Sequence, residues 1–256
     1  MKKYGLIGYP LTHSFSQRFF TEKFERERIP GCSYSNFSIA SIDELPLVLA
    51  DTELRGLNVT IPYKEQVLPF LHFENEVVRE IRACNCIRIE DGKRYGFNTD
   101  VVGFEGSLAA KLGPHHVQAL VLGNGGAAKA VEYVLRKRGI GYRMVTRRPR
   151  PGSSDIDYAA VDAALLATHT LIINTTPLGM HPKLEEYPPL PYEALTPRHY
   201  LFDLIYNPVR TPFLLRGEEM GAVVENGYDM LLLQAEESWR IWTEPAEGPT
   251  LARPDA

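Results

Sequence analysis

Two apolar periods alternate along the first hundred residues. Short runs at 4–9 (Y-G-L-I-G-Y), 33–39 and 57–61 read as buried strands, the last ending at Pro62. Between them, apolar residues recur every three or four positions, the mark of a helix face. The stretch 15–28 carries Phe19, Phe20 and Phe24 on such a face, and 43–50, 65–71 and 74–81 carry shorter stripes. Segments 84–89 and 94–97 flank Glu90-Asp91-Gly92-Lys93 and read as a hairpin, since Asp-Gly accepts the positive φ of a tight turn. Strands alternating with helices imply a mostly parallel sheet, with the hairpin adding an antiparallel edge. Residues 1–100 are therefore expected to form one α/β unit.

A further helix starts near Asp100, with Val101, Phe104, Leu108 and Leu112 on one face, and stops at Gly113-Pro114. It reads as a bridge (101–113) into a second unit, 101–226. There strands are expected at 118–122, 141–146, 171–174, 200–203 and 222–224, with a helix running to Arg138 and an irregular, proline-rich connection at 177–191. Leu231, Ala235, Trp239 and Trp242 form the stripe of a last helix within 227–243, expected to pack back on the first unit. Residues 244–256, rich in Pro, Ala and charge, are expected to be disordered.

Composition removes several classes of function. The 256 residues carry a net charge of -4, with 44% hydrophobic and 23% charged residues, so nothing invites nucleic acid or an acidic membrane. No apolar run approaches the ~20 residues that span a bilayer, and the N-terminus has no signal-peptide pattern. Three cysteines, two of them in Cys84-Asn85-Cys86, and seven histidines show no disulfide or metal spacing. The expectation is a reduced, cytoplasmic protein without a metal.

The strand-like Leu120-Val121-Leu122 breaks at Gly123-Asn124-Gly125-Gly126 and resumes as a helix through Ala127, Ala128, Val131 and Val134. Gly123, Gly125 and Ala128 fit G-x-G-x-x-A in its required strand–turn–helix setting. The first glycine permits the turn, the second lets a pyrophosphate approach, and the small third residue lets helix and strand pack. An ordinary strand-to-helix turn also favours glycine, but the flanking pattern points to a dinucleotide. About 20 residues on, where the second strand of such a unit meets the adenosine ribose, stand Thr146-Arg147-Arg148-Pro149-Arg150 and no acid. A solvated basic turn would look the same; the position favours NADP over NAD.

In the first unit, polar residues gather at expected strand ends: His13-Ser14-Phe15-Ser16, Asn58 to Lys64, Asn85, and Asn98-Thr99-Asp100. Each also has a purely structural explanation. Ser14 with Gln17 makes a capping box. Asn58 and Thr60 alternate with Leu57, Val59 and Ile61 as the polar face of a strand, and Asp100 suits a helix N-cap.

Taken together these stretches resemble the shikimate dehydrogenase family over nearly the full chain. The matching pieces, in order, are G-Y-P-L-T-H-S-F-S, N-V-T-I-P-Y-K, the Asn of A-C-N-C, G-F-N-T-D, G-N-G-G-A, N-T-T-P-L-G-M, D-L-I-Y-N-P-V-R-T-P and N-G-Y-D-M-L-L-L-Q-A. The resemblance implies an N-terminal, mostly parallel α/β substrate domain and a Rossmann-like NADP-binding domain, with the active site in the cleft between. It implies reversible, NADPH-dependent reduction of 3-dehydroshikimate to shikimate on the route to aromatic amino acids, in a monomer or homodimer. It further implies that Ser14, Ser16 and Tyr206 bind the carboxylate, that Thr60, Asn85, Asp100 and Gln234 hold ring hydroxyls supported by Asn58, and that Lys64, paired with Asp100, is catalytic. For NADP(H) it implies contacts from Gly123, Asn124, Gly125, Gly126, Ala127, Thr146, Arg147, Arg148, Arg150, Leu204 and Gly227, with Thr175 and Met180 close to the nicotinamide and Glu76 as an acid near the cofactor. Departures from the family pattern are Gln17 in place of Pro, Cys84 and Cys86 around Asn85, Asn124 in the glycine turn, and the T-R-R-P-R stretch.

The chemistry needs such a set. Hydride reaching a carbonyl leaves negative charge on oxygen, which a placed ammonium can neutralise and protonate. Alternatives with the same fold are a quinate/shikimate dehydrogenase using NAD or both cofactors, and a methylene-tetrahydrofolate dehydrogenase type of reductase, which the carboxylate-suited Ser14/Ser16 pair disfavours. A nucleotide-binding regulatory module without turnover is a third, opposed by an intact Lys64 and Asp100.

Overall fold

The computed structural model describes residues 1–11 and 14–244; the expected disordered tail lies, from residue 245, outside the described residues, as does His13. The chain forms two compact units, residues 1–99 together with the stretch from Ala235, and Asp100–Gln234.

The first unit contains β1 (Lys2–Gly8), α1 (Phe15–Arg26), β2 (Cys32–Ser38), α2 (Leu45–Leu49), β3 (Leu54–Val59), β4 (Phe73–Glu74), α3 (Glu76–Ile81), β5 (Cys86–Glu90) and β6 (Lys93–Phe97). Its six-stranded sheet runs β2-β1-β3-β5-β6-β4. β1 is parallel to β2 and β3, while β5 is antiparallel to β3 and β6. The β5–β6 turn has Asp91 at φ 50 and Gly92 at φ 73, the two positive values that a right-twisted hairpin requires.

Alternation along the strands splits the core into two clusters, one per face. Ile7, Leu57, Val59 and Ile87 join Leu45, Val67 and Val78 in one cluster. Tyr4, Leu6 and Cys86 join Phe20, Phe24, Tyr34 and Trp242 in the other. Asn58, between Leu57 and Val59, therefore points to the aromatic side.

Two local expectations fail for stated reasons. Residues 65–71 form turns and a short 3-10 segment (Leu68–Phe70) instead of a helix, because Pro69 has no N–H to donate and interrupts the ladder. The helix expected from Glu74 starts at Glu76, because Asn75 caps it by accepting from the Val78 amide at 2.9 Å. Phe73 and Glu74 are thereby left to pair with β6, and the Phe73 ring stacks on Tyr95 at 4.9 Å.

The second unit opens with α4 (Thr99–Ala109), whose first residue belongs to the first unit. It continues through β7 (Gln118–Leu122), α5 (Gly126–Lys137), β8 (Gly141–Val145), α6 (Ala163–Thr168), β9 (Leu171–Asn174), β10 (Tyr200–Asp203), α7 (Pro212–Glu219) and β11 (Val223–Glu225). All five strands are parallel, in the order β11-β10-β9-β7-β8. The last helix, α8 (Tyr228–Thr243), starts in the second unit and ends in the first. α6 and α7 are too short to show an apolar stripe in the sequence; Asp162 and Thr211 cap them.

The chain leaves β7 toward β8 on one side and returns to β9 on the other. That is a topological switch point, and in open parallel sheets the ligand crevice lies outside the carboxyl ends of the strands there. Those ends carry Gly123 after β7 and Thr175 after β9, with Leu122 and Asn174 in register.

Candidate active site

In the first unit three of the candidate substrate residues, Ser16, Asn58 and Asn85, sit on one hydrogen-bonded chain, while Ser14 and Thr60 make separate contacts. Ser14 caps α1 by accepting from the Gln17 amide at 3.2 Å. The Gln17 side chain accepts from Asn36 at 2.8 Å, so a reciprocal box with Ser14 is not made. Ser16, half-buried, hydrogen-bonds the Tyr34 phenol. Complete burial drives that phenol well above its ordinary pKa, the Ser16 bond opposing the rise, so it stays neutral and donates to Asn58 Oδ1 at 2.8 Å. Asn58 Nδ2 donates in turn to Ser238 Oγ at 2.9 Å, and Ser238 Oγ lies 3.3 Å from Thr99 Oγ1. Asn85 closes the chain. Its Oδ1 accepts from the Thr99 amide at 2.6 Å, and its Nδ2 donates to Thr99 Oγ1 at 3.1 Å.

Thr60 and Lys64 lie on the turn after β3. The Thr60 amide donates to Ile7 O at 2.9 Å, continuing the pairing with β1. The Lys64 carbonyl accepts from the Cys84 amide at 2.7 Å, and the buried Tyr63 beside it donates to Ile39 O at 2.6 Å. Lys64 is thus carried on a short segment pinned on both sides, its side chain half-buried. Glu76 stands exposed in the first turn of α3, a place where the helix dipole alone favours an acid.

Within the second unit, Asp100 is in the first turn of α4, inside the helix and not at its cap. One turn on, Gly103 makes room for α8: a Cβ there would collide with Met230 O and approach Gln234 Cβ to 3.1 Å. Gln234, 9% exposed, donates to Leu231 O at 3.0 Å. Tyr206 follows β10 and is partly exposed.

The glycine turn fits a dinucleotide phosphate. Gly123 has φ +95, and a Cβ there would lie 2.9 Å from Thr176 Cγ2. At Gly125 and Gly126 a Cβ would meet nothing within 4 Å. The twelve-residue α5 has Gly125 at its N-cap and no side-chain cap, so its N-terminal amides and dipole face open space. Asn124 is exposed and Ala127 half-buried at this entrance. Thr175 donates to Leu122 O at 2.7 Å, tying the loop after β9 to β7. Met180 is exposed beyond it, and Leu204 packs backbone to backbone against Gly227.

The basic stretch is differentiated. Thr146 is buried and its hydroxyl accepts from the Arg148 amide at 3.1 Å. Arg147 and Arg148 are exposed, with Arg147 near Tyr158, whose phenol burial pushes up to about 12. Arg150 instead forks onto Asp155, Nε to Oδ2 at 2.7 Å and NH2 to Oδ1 at 2.9 Å. That bond holds the Asp155 carboxyl below its ordinary range and raises Arg150.

Tyr34 and Ser238 escaped the sequence, and Thr99 stood in a noted stretch without a role, because their roles depend on partners up to 180 positions away. One signal was available: Ser238 interrupts the apolar stripe of α8 with a hydroxyl. No group of three His, Cys, Asp or Glu among the described residues is placed to hold a metal ion, and no helix among them is long and apolar enough to cross a membrane.

Comparison with known proteins gives consistent relatives. A family model for the shikimate dehydrogenase substrate binding domain matches residues 6–87. The chain is 36% identical over 252 residues to a shikimate dehydrogenase (NADP(+)) of Clostridium beijerinckii, covering 95% of this chain and 93% of the relative. It is 34% identical over 250 residues to one of Ignicoccus hospitalis, covering 93% and 92%. The crystal structure of shikimate 5-dehydrogenase from Thermus thermophilus in complex with NADP(H) and shikimate matches with a TM-score of 0.83 at 30% identity, covering 95% and 94%.

Proposed function

This chain belongs to the shikimate dehydrogenase family, and with that as the premise we propose how its residues divide the work of the reaction. The activity is the reversible, NADP-dependent oxidoreduction of a CH–OH group, 3-dehydroshikimate to shikimate, in aromatic amino acid biosynthesis. When bound, the cofactor supplies or accepts the hydride.

Lys64 protonates the forming alkoxide in the reducing direction and, as the neutral amine, takes the hydroxyl proton in reverse. Asp100 orients that hydroxyl and balances the ammonium. Ser14 and Ser16 at the start of α1, with Tyr206, hold the carboxylate, where the helix N-terminus favours an anion. Thr60, Asn85 and Gln234 position the ring hydroxyls. Asn58 acts through them, because both ends of its carboxamide are already engaged by Tyr34 and Ser238.

The uncapped start of α5 with Gly123 to Ala127 takes the pyrophosphate. Arg147 and Arg148, displayed by Thr146, take the 2′-phosphate, and Arg150 shapes their loop through Asp155. Thr175, Met180, Leu204 and Gly227 lie on the nicotinamide side. Glu76, exposed in the first turn of α3, is the acid near the cofactor. Three free cysteines suit a reduced, cytoplasmic setting, and a monomer or homodimer is expected, which sedimentation would distinguish.

The observation that supports this division most is the hydrogen-bonded chain from Ser16 to Asn85, which ties Ser16, Asn58 and Asn85 into one set. Initial rates with shikimate and with quinate, each with NADP and NAD, test it. Shikimate with NADP should be fastest by at least about tenfold, a difference of one good hydrogen bond or ion pair. Equal or faster turnover of quinate with NAD would overturn the assignment.

A further inference from the structure

We infer that Asp203 is a positioning residue that locks the loop after β9 to the loop after β10, so that the groups on both loops keep one arrangement. The inference rests on the proposal above, which puts Thr175 and Met180 beside the cofactor and Tyr206 on the substrate carboxylate.

Asp203 ends β10 and is completely buried, as are Asn174 at the end of β9 and Thr211 at the cap of α7. Its carboxylate receives three donors: Asn174 Nδ2 at 3.0 Å and the Ile205 amide at 3.1 Å on Oδ1, and Thr211 Oγ1 at 2.6 Å on Oδ2. The orientation of Asn174 is fixed from outside. Asn174 Oδ1 accepts from the Thr176 amide at 3.0 Å and its hydroxyl at 2.7 Å, which leaves only the NH2 group to face Asp203. Thr211 Oγ1 accepts from the Leu214 amide at 3.4 Å, and its own hydrogen is available to Asp203. Three donors converge on its two oxygens, an arrangement that favours an unprotonated carboxylate at its centre.

The two loops meet at this carboxylate. Asn174 and Thr176 carry the start of the β9 loop, and Gly179, next to Met180, packs on Thr211, where a Cβ would lie 3.1 Å from Thr211 Cβ. On the other loop the Ile205 amide is held by Asp203 and the Ile205 carbonyl by the Gly227 amide at 3.0 Å, which fixes the backbone just before Tyr206.

Burial pushes the Asp203 carboxyl up to about 7, its three donors opposing the rise. Tyr192, whose phenol burial keeps neutral, interacts with Asp203, and Arg216 of α7 lies over the Tyr192 ring at 5.6 Å. Acidification therefore places a proton where three donors already point.

The test compares KM for NADP+ and for shikimate, and kcat, from pH 6 to 9 in the full-length wild type, Asp203→Asn, Thr211→Val, Thr211→Ser and Tyr206→Phe. Thr211→Val should raise both KM values about five- to tenfold, the scale of one buried hydrogen bond, with kcat changed less. Thr211→Ser, which keeps the hydroxyl, should stay within about twofold of wild type. Wild-type KM values should climb below about pH 7, and Asp203→Asn, if it folds, should be high and flat across that range. Unchanged KM values in Thr211→Val, or no rescue by serine, would overturn the coupling. Tyr206→Phe should raise KM for shikimate alone; if it does nothing, the assignment of Tyr206 to the substrate falls instead.

Discussion

The phenol of Tyr34 donates to the carboxamide oxygen of Asn58 across 2.8 Å of buried interior, although the two residues lie on strands separated by β1. The bond decides which way Asn58 faces. With its oxygen taken, its NH2 group turns to Ser238, and the hydroxyl chain to Thr99 and Asn85 follows. Tyr34→Phe removes the donor and strands Asn58 Oδ1, which should cost about 1–3 kcal/mol in urea unfolding. Because Ser16 loses its partner as well, KM for shikimate should rise while KM for NADP+ stays put. An unchanged KM would detach this chain from substrate binding.

Lys64 is assigned the proton. Lys64→Ala should lower kcat by about 10²–10⁴-fold, the usual worth of a placed acid–base group, with a modest change in KM for shikimate. Near-normal turnover would remove the role.

Arg147 and Arg148 are assigned the 2′-phosphate, and Arg150 with Asp155 the shape of their loop. Arg147→Ala/Arg148→Ala should raise KM for NADP+ by about tenfold or more and leave the rate with NAD unaltered. Asp155→Ala should raise KM for NADP+ a few-fold. Because Arg150 depresses the Asp155 carboxyl, the clamp is fully made above the ordinary Asp value of ~3.9 and is lost only as pH falls through the lower folded value. KM for NADP+ should therefore show no step from this pair between about pH 5 and 9. A step there that vanished in Asp155→Ala would contradict the pairing.

Glu74 is 1% exposed, and neither carboxylate oxygen has a hydrogen bond among the described residues; Arg82 NH1 stands 3.6 Å from one of them. A charge buried with so little support costs more than it returns. Glu74→Leu should stabilise the protein by about 1–4 kcal/mol, whereas Arg82→Ala, which abandons the carboxylate, should destabilise it. Thermal unfolding of the two variants reads both signs.

Much of this architecture is legible from local pattern. The strands, the Asp-Gly hairpin, and the glycine turn between β7 and α5 declare themselves within a dozen residues, as does the placing of three arginines after β8. What stays hidden is what depends on distance along the chain. Arg150 looks like its two neighbours until Asp155 folds onto it. Asn58 looks like a substrate ligand until Tyr34 and Ser238 arrive from residues 34 and 238 to occupy it. Asp100 looks like a cap because the true first residue of its helix, Thr99, is recognisable only once Asn85 is seen to hold its amide. The switch point at β7 and β9 needs the strand order, which no stretch of sequence spells out.

The second unit is inserted within the first, and this sets an order of manufacture. When residues 1–99 have left the ribosome, their sheet still lacks Trp239 and Trp242, whose rings pack on Tyr4 and Phe20 at 4.9–6.4 Å. Asn58 likewise has no Ser238 to accept its hydrogen bond. The first unit to be synthesised is thus the last to be completed, and a chain cut before α8 would leave an aromatic face uncovered and a buried amide unanswered, however well its nucleotide unit had formed.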